Sequence, residues 1–132
     1  WALYCEQLMQ EQGFLKTEEH RFVMLKDRLW RALRIIIDVK TQTGRMTYAE
    51  AADLMVRELQ FPRQQAEGDL NWYSQSPSIP MGYALGWSII NRMREKEKAK
   101  HGSRFDLRAF HDRLLSAGSI SLPLVEKRHF SE

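Results

Sequence analysis

The sequence is poor in the residues that staple or interrupt a chain. One of its 132 residues is cysteine, Cys5, so no disulfide closes within the chain and no cysteine-rich zinc module forms. Seven glycines and four prolines are too few for a loop-built or fibrous chain. An excess of one charge is missing as well. Twenty Lys and Arg stand against seventeen Asp and Glu, a net charge of +3. The densest basic stretch, Arg92 to His101, has Glu95 and Glu97 among its lysines. It reads as a solvated helix face with neighbouring ion pairs rather than as a phosphate-tracking surface. The uncharged stretch Gln75 to Asn91 holds Ser, Pro and Gly. It falls short of the roughly 20 mainly apolar residues of a membrane span. Neither nucleic acid nor a membrane is an expected partner. Disorder is excluded by what is present: 43% apolar and 11% aromatic residues.

The apolar residues recur at helical spacing. Seven helices and no strand are expected, an all-α array with long central helices. The first covers Ala2 to Gln12 and stops at Gly13. The second starts at an N-cap, Thr17, with Glu18 and Glu19 in its first turn, and runs to about Thr41. Around Ile35-Ile36-Ile37 its apolar surface wraps most of the circumference, which predicts a central place in the core. After Gly44, Thr47-Tyr-Ala-Glu50 has the form of a capping box and opens a third helix to about Leu59. Pro62 suits the first position of a fourth, to about Tyr73. Ser74 to Pro80 reads as a loop, Met81 to His101 as the fifth helix, and Asp106 to Ala117 as the sixth. Ser121 caps a short seventh with Pro123 in its first turn. The chain opens at Trp1 in what reads as mid-helix, so residues 1–132 are expected to be one helical piece, the C-terminal fragment of a larger domain.

Catalytic motifs are scarce. His20, His101, His111 and His129 contain no pair at the three- or four-residue spacing of a helical metal site, and there is no HExxH. No metal ligand is assigned. No serine sits in a G-x-S-x-G elbow. Gly82-Tyr-Ala-Leu-Gly86 lacks the ending of a phosphate loop. Its two glycines share a helix face, where another helix approaches closely or, alternatively, space is left for a substrate. Cys5 is expected to be a small buried apolar residue. Tyr83, Trp87, Ile90 and Arg94 form one stripe, a phenol and a guanidinium flanking apolar surface. Arg34 with Asp38, and Arg108 with Asp112, are i, i+4 ion-pair candidates, and His111 adjoins the second.

Several segments together resemble one bacterial family, labelled domain of unknown function 885, whose members resemble gluzincin metallopeptidases. Trp1-Ala-Leu-Tyr4 with Glu6 is similar to the segment after that family's third metal-ligand glutamate. Leu29 to Asp38 resembles its long central helix, and Thr43 to Ala51 its next turn and helix start. Ser78-Ile-Pro-Met-Gly-Tyr-Ala-Leu-Gly86 resembles its tyrosine-bearing helix start. Phe105 to Asp112, then Gly118 and Leu122-Pro-Leu124, resemble its C-terminal end. The resemblance implies a zinc-dependent hydrolase of peptide-like bonds, in which two histidines and a glutamate hold the metal and a second glutamate activates water. Those groups lie before Trp1 in the family. Residues 1–132 thus hold no cofactor themselves, zinc being expected in the complete family-type protein, and the piece is inactive alone.

By the same resemblance Tyr83 is an oxyanion donor and His111 orients substrate or intermediate. Arg34, Asp38 and Arg94 bind substrate or brace the site. Two positions depart from the family pattern: Gln42, where members often carry His, and Gly82, where many carry Ser. Glutamine does not titrate near neutrality as histidine does. The expected partners are the missing N-terminal part, a peptide-like substrate when complete, and a second copy of the isolated fragment across its exposed apolar face. The rival expectation is a non-catalytic helical interaction domain whose apolar helices 22–37 and 81–93 pack a partner.

Overall fold

A computed structural model describes residues 1–130. Its order is α1 (Ala2–Glu11), α2 (Glu18–Gln42), α3 (Tyr48–Leu59), α4 (Arg63–Gln75), α5 (Gly82–His101), a 3₁₀ turn (Gly102–Arg104), α6 (Leu107–Ser116), α7 (Leu122–Val125) and a π turn (Glu126–Phe130). The fold is all-α, with seven α-helices and no strand among the described residues. None of the helices is long and apolar enough to cross a membrane. The chain divides into two compact units, Trp1–Leu85 and Gly86 onward.

Local chemistry sets the helix ends. The Thr17 hydroxyl accepts from the His20 amide at 3.2 Å and starts α2. At α3 the capping box is complete. Thr47 Oγ1 accepts from the Glu50 amide at 3.2 Å, while the Thr47 amide donates to Glu50 Oε2 at 2.8 Å. Two backbone donors that a helix start leaves open are thus satisfied. Gln60 ends α3 in the left-handed region, φ 54°. Pro62 is the N-cap of α4 rather than its first helical residue. Ser121 occupies the N-cap of α7, but its side chain makes no capping bond; its carbonyl accepts from Leu124 and Val125 instead.

The core of the first unit lies where α2, α3 and α4 meet. Leu33 and Ile37 pack with Ala51, Ala52, Met55, Leu59, Phe61, Ala66, Leu70 and Tyr73. Alanines at three of these positions keep the helices close, and each fully buried Met or Leu contributes about 1.5–3 kcal/mol. The isoleucine run splits: Ile37 is buried, Ile35 half-buried, and Ile36 46% exposed. A single helix side faces the core here, so the expected burial of all three does not occur. In the second unit Ile90, Met93, Phe110, Leu114 and Val125 are buried. The Phe110 ring meets Phe105 at 6.2 Å and Phe130 at 5.5 Å.

Three side-chain expectations are corrected. Glu97 is buried rather than solvated, beside His101 Nε2 at 3.4 Å and Arg113 Nη1 at 3.7 Å. Cys5 is half-buried, which is enough to push its thiol pKa up. No close helix approach explains Gly82 and Gly86. A Cβ on Gly82 would meet nothing within 4 Å, and one on Gly86 only Leu122 Cδ1 at an ordinary 3.8 Å.

Candidate functional site

The polar group with the most structure around it is Arg34 in the first unit. It sits one turn beyond Trp30 on α2, so both side chains leave the same side of the helix. The guanidinium carbon lies 4.3 Å from the centre of the Trp30 ring, 5.3 Å from Tyr73 and 5.6 Å from Tyr83. These are cation–π distances, and an Arg only 8% exposed gains most from them. Arg34 Nε donates to the Tyr73 hydroxyl at 2.8 Å, and Trp30 Nε1 donates to the same oxygen at 3.0 Å. Burial pushes the Tyr73 pKa up, with Arg34 and the Trp30 hydrogen bond opposing. Asp69, on α4, is also pushed up, chiefly by burial, with Arg34 opposing. Its Oδ2 is buried without a hydrogen-bond partner.

The expected Arg34–Asp38 ion pair is absent among the described residues. Arg34 turns to the aromatic group, and Asp38 turns to the turn before α5. Asp38 is 2% exposed, and its Oδ1 accepts from the Ser78 amide at 3.3 Å while Oδ2 is buried without a partner. Ser78 holds φ 67°, a left-handed conformation unusual for a residue with a Cβ. Asp38 therefore anchors the turn from which α5 starts. Tyr83 is the second residue of α5. It is 44% exposed, its ring rests against Arg34, and its hydroxyl has no partner among the described residues. Gln42, exposed at the end of α2, donates to the Tyr73 carbonyl at 3.4 Å.

Tyr83, Arg34 and Asp38 thus share one unit. Arg94 and His111 belong to the other. There Arg94 is buried, and His111 is half-buried with its ring 5.7 Å from that of Phe110. Arg108 and Asp112 do pair, at 3.8 Å, on open surface. Trp30, Tyr73 and Asp69 were not singled out by the sequence. Trp30 at four residues before Arg34 is a signal that could have been read. Tyr73 lies 39 residues away and gives none. Among the described residues no three His, Cys, Asp or Glu side chains stand together as a metal-binding group.

No curated protein matches the chain. Solved structures that share its fold over nearly its whole length include two described as lipoproteins. One is described as a "putative lipoprotein" from Colwellia psychrerythraea, with 30% identity, TM-score 0.89, and 96% of this chain covered. The other is a "putative lipoprotein of unknown function" from Shewanella oneidensis, with 32% identity, TM-score 0.86, and 99% covered. The chain spans 22% and 24% of the lengths of those two chains. The model of one family matches residues 1–128. By that match the chain belongs to the bacterial proteins of unknown function DUF885.

Proposed function

We propose that residues 1–132 form the C-terminal part of a peptidase-like hydrolase, and that Tyr83 is its oxyanion donor. The observation that carries the reading is the state of this phenol. The residue is 44% exposed and its hydroxyl has no partner among the described residues, while its ring centre lies 5.6 Å from a buried guanidinium. A fixed donor near a fixed positive charge suits an oxygen that becomes negative when a carbonyl carbon is attacked. In that step the Tyr83 O–H donates to the developing oxyanion. Arg34 favours negative charge beside the ring, and Asp38 holds the turn that presents the tyrosine. A metal would supply the Lewis acidity of the family-type site, but the described residues contain no group fit to hold it.

The test is Tyr83→Phe in the full-length protein, assayed for cleavage of a mixed peptide library. Turnover should fall by about 10²-fold, the usual scale for one lost oxyanion donor, with thermal stability unchanged. Wild-type turnover in the variant removes Tyr83 from the mechanism. A non-catalytic interaction domain is the second reading, favoured by the exposed apolar residues of α2. An HExxH-like segment upstream in the gene supports the hydrolase, and its absence supports the interaction domain.

A further inference from the structure

Phe22, Leu25, Leu29, Ala32, Ile36 and Val39 follow one another along α2 at alternating steps of three and four, and every one of them is exposed, Phe22 to 66%. This is the 3.5-residue repeat with which one helix packs along another. The adjoining side of α2 carries Leu33 and Ile37 into the core. The seam spans about 26 Å, matching a partner helix of about 18 residues. Two recesses, about 720 and about 510 Å³, flank it on the α3 side and share Leu29 and Glu58.

The charges beside the seam decide what fits. From Arg21 to Lys40 the positions bordering it carry Arg21, Lys26, Arg28 and Lys40 and no acid, while Glu18 and Glu19 stand one turn before Phe22 at its N-terminal end. Arg21, Lys26 and Lys40 make no ion pair among the described residues; Lys26 meets only the Phe61 ring, at 5.8 Å. Asp27, nearby, is taken by Arg31 at 3.3 Å. The acids of α3 are engaged as well: Glu50 in its cap, Asp53 with Arg63, Glu58 with Arg57. Pairing α2 with α2 of a second copy would set these cations against one another in either orientation.

We propose that this face is the seat of an amphipathic helix with acidic residues beside its apolar stripe, and that the rest of a family-length chain supplies it. Such chains hold more than three quarters of their length outside the matched region, which spans 22% and 24% of the two solved relatives. An apolar seam of this length seldom stays bare on a monomer. The inference rests on the family assignment and not on the catalytic reading.

The experiment uses the full-length protein as an equal mixture of ¹⁴N- and ¹⁵N-labelled molecules. A carbodiimide joins contacting lysines and carboxylates, and mass spectrometry reads the links. Lys26 or Lys40 should join an Asp or Glu outside residues 1–132, with both peptides carrying the same isotope. In parallel, an Ala32→Cys thiol should react with iodoacetamide about tenfold or more slowly than the same thiol in the urea-unfolded protein. Mixed-isotope links at these lysines would assign the face to a second copy and overturn the proposal. Equal thiol rates would overturn it too, because the seam would then be open.

Discussion

The Tyr73 hydroxyl accepts from a charged donor and a neutral one, and Tyr73→Phe removes that acceptor alone. Arg34 Nε at 2.8 Å and Trp30 Nε1 at 3.0 Å both lose it. A hydrogen bond from a charged donor is worth about 1.5–3 kcal/mol and a neutral one about 0.5–1.5 kcal/mol. Trp30 is only half-buried, so water replaces part of its bond. The Arg34 contact with the ring face at 5.3 Å survives in phenylalanine. The expected loss is therefore about 2–4 kcal/mol, a drop in urea midpoint of roughly 1–2 M. Equilibrium urea unfolding followed by fluorescence measures it. Tyr83→Phe is the control, expected to stay within about 0.5 kcal/mol because its hydroxyl has no partner among the described residues. A pH series adds a second readout. The folded-state Tyr73 pKa lies above its ordinary value of 10.0, so this group's contribution is full below pH 10 and fades as pH rises through the folded value. The gap between wild type and Tyr73→Phe should narrow above pH 10. A variant within about 0.5 kcal/mol of wild type at pH 7 would mean that the Trp30–Arg34–Tyr73 network contributes nothing, and the account of how Arg34 is held would fall.

Thr47→Ala should cost about 1 kcal/mol by thermal melting, since it removes the hydroxyl half of the α3 capping box; an unchanged melting temperature would contradict the capping account. The Glu50 pKa is lowered by its hydrogen bonds to Thr47, so that acid's own share is present above pH 4.5 and is lost as pH falls through the folded value. Asp69→Asn should raise the melting temperature at pH 7. Burial makes the charged Asp69 unfavourable in the folded state, so the gain vanishes below about pH 3.8, where both states hold the proton. A lower melting temperature at pH 7 would show that Asp69 is needed as an anion for Arg34. Ser78→Gly should stabilise by about 0.5–1 kcal/mol, the left-handed penalty of roughly 1–2 kcal/mol less glycine's greater unfolded entropy. A loss in urea midpoint would mean that the exposed serine side chain has a role of its own.

Which parts of this molecule can be read from its sequence follows from how far each interaction reaches along the chain. Thr17, the Thr47–Glu50 box and Gly44 act within one helical turn, so α2 and α3 begin and end within a residue or two of where those signals stand. The Arg34–Asp38 pair shows the limit of local reasoning. Four-residue spacing allows the ion pair, but it gives no weight to Tyr73, 39 residues on, or to the Ser78 amide, 40 residues on. Packing brings those distant groups to the two side chains: Arg34 gains three rings and a phenol oxygen, and Asp38 the Ser78 amide. Packing likewise explains Ile36. Composition marks 35–37 as uniformly apolar, yet α3 and α4 cover one side of α2, and an adjoining side keeps a heptad seam that none of the described residues buries. That seam was present in the sequence as a spacing, and its basic borders were present as a charge pattern. Only the burial of Leu33 and Ile37 on the adjoining side separates a core stripe from a docking stripe, and burial is a property of the packed helices rather than of any one of them.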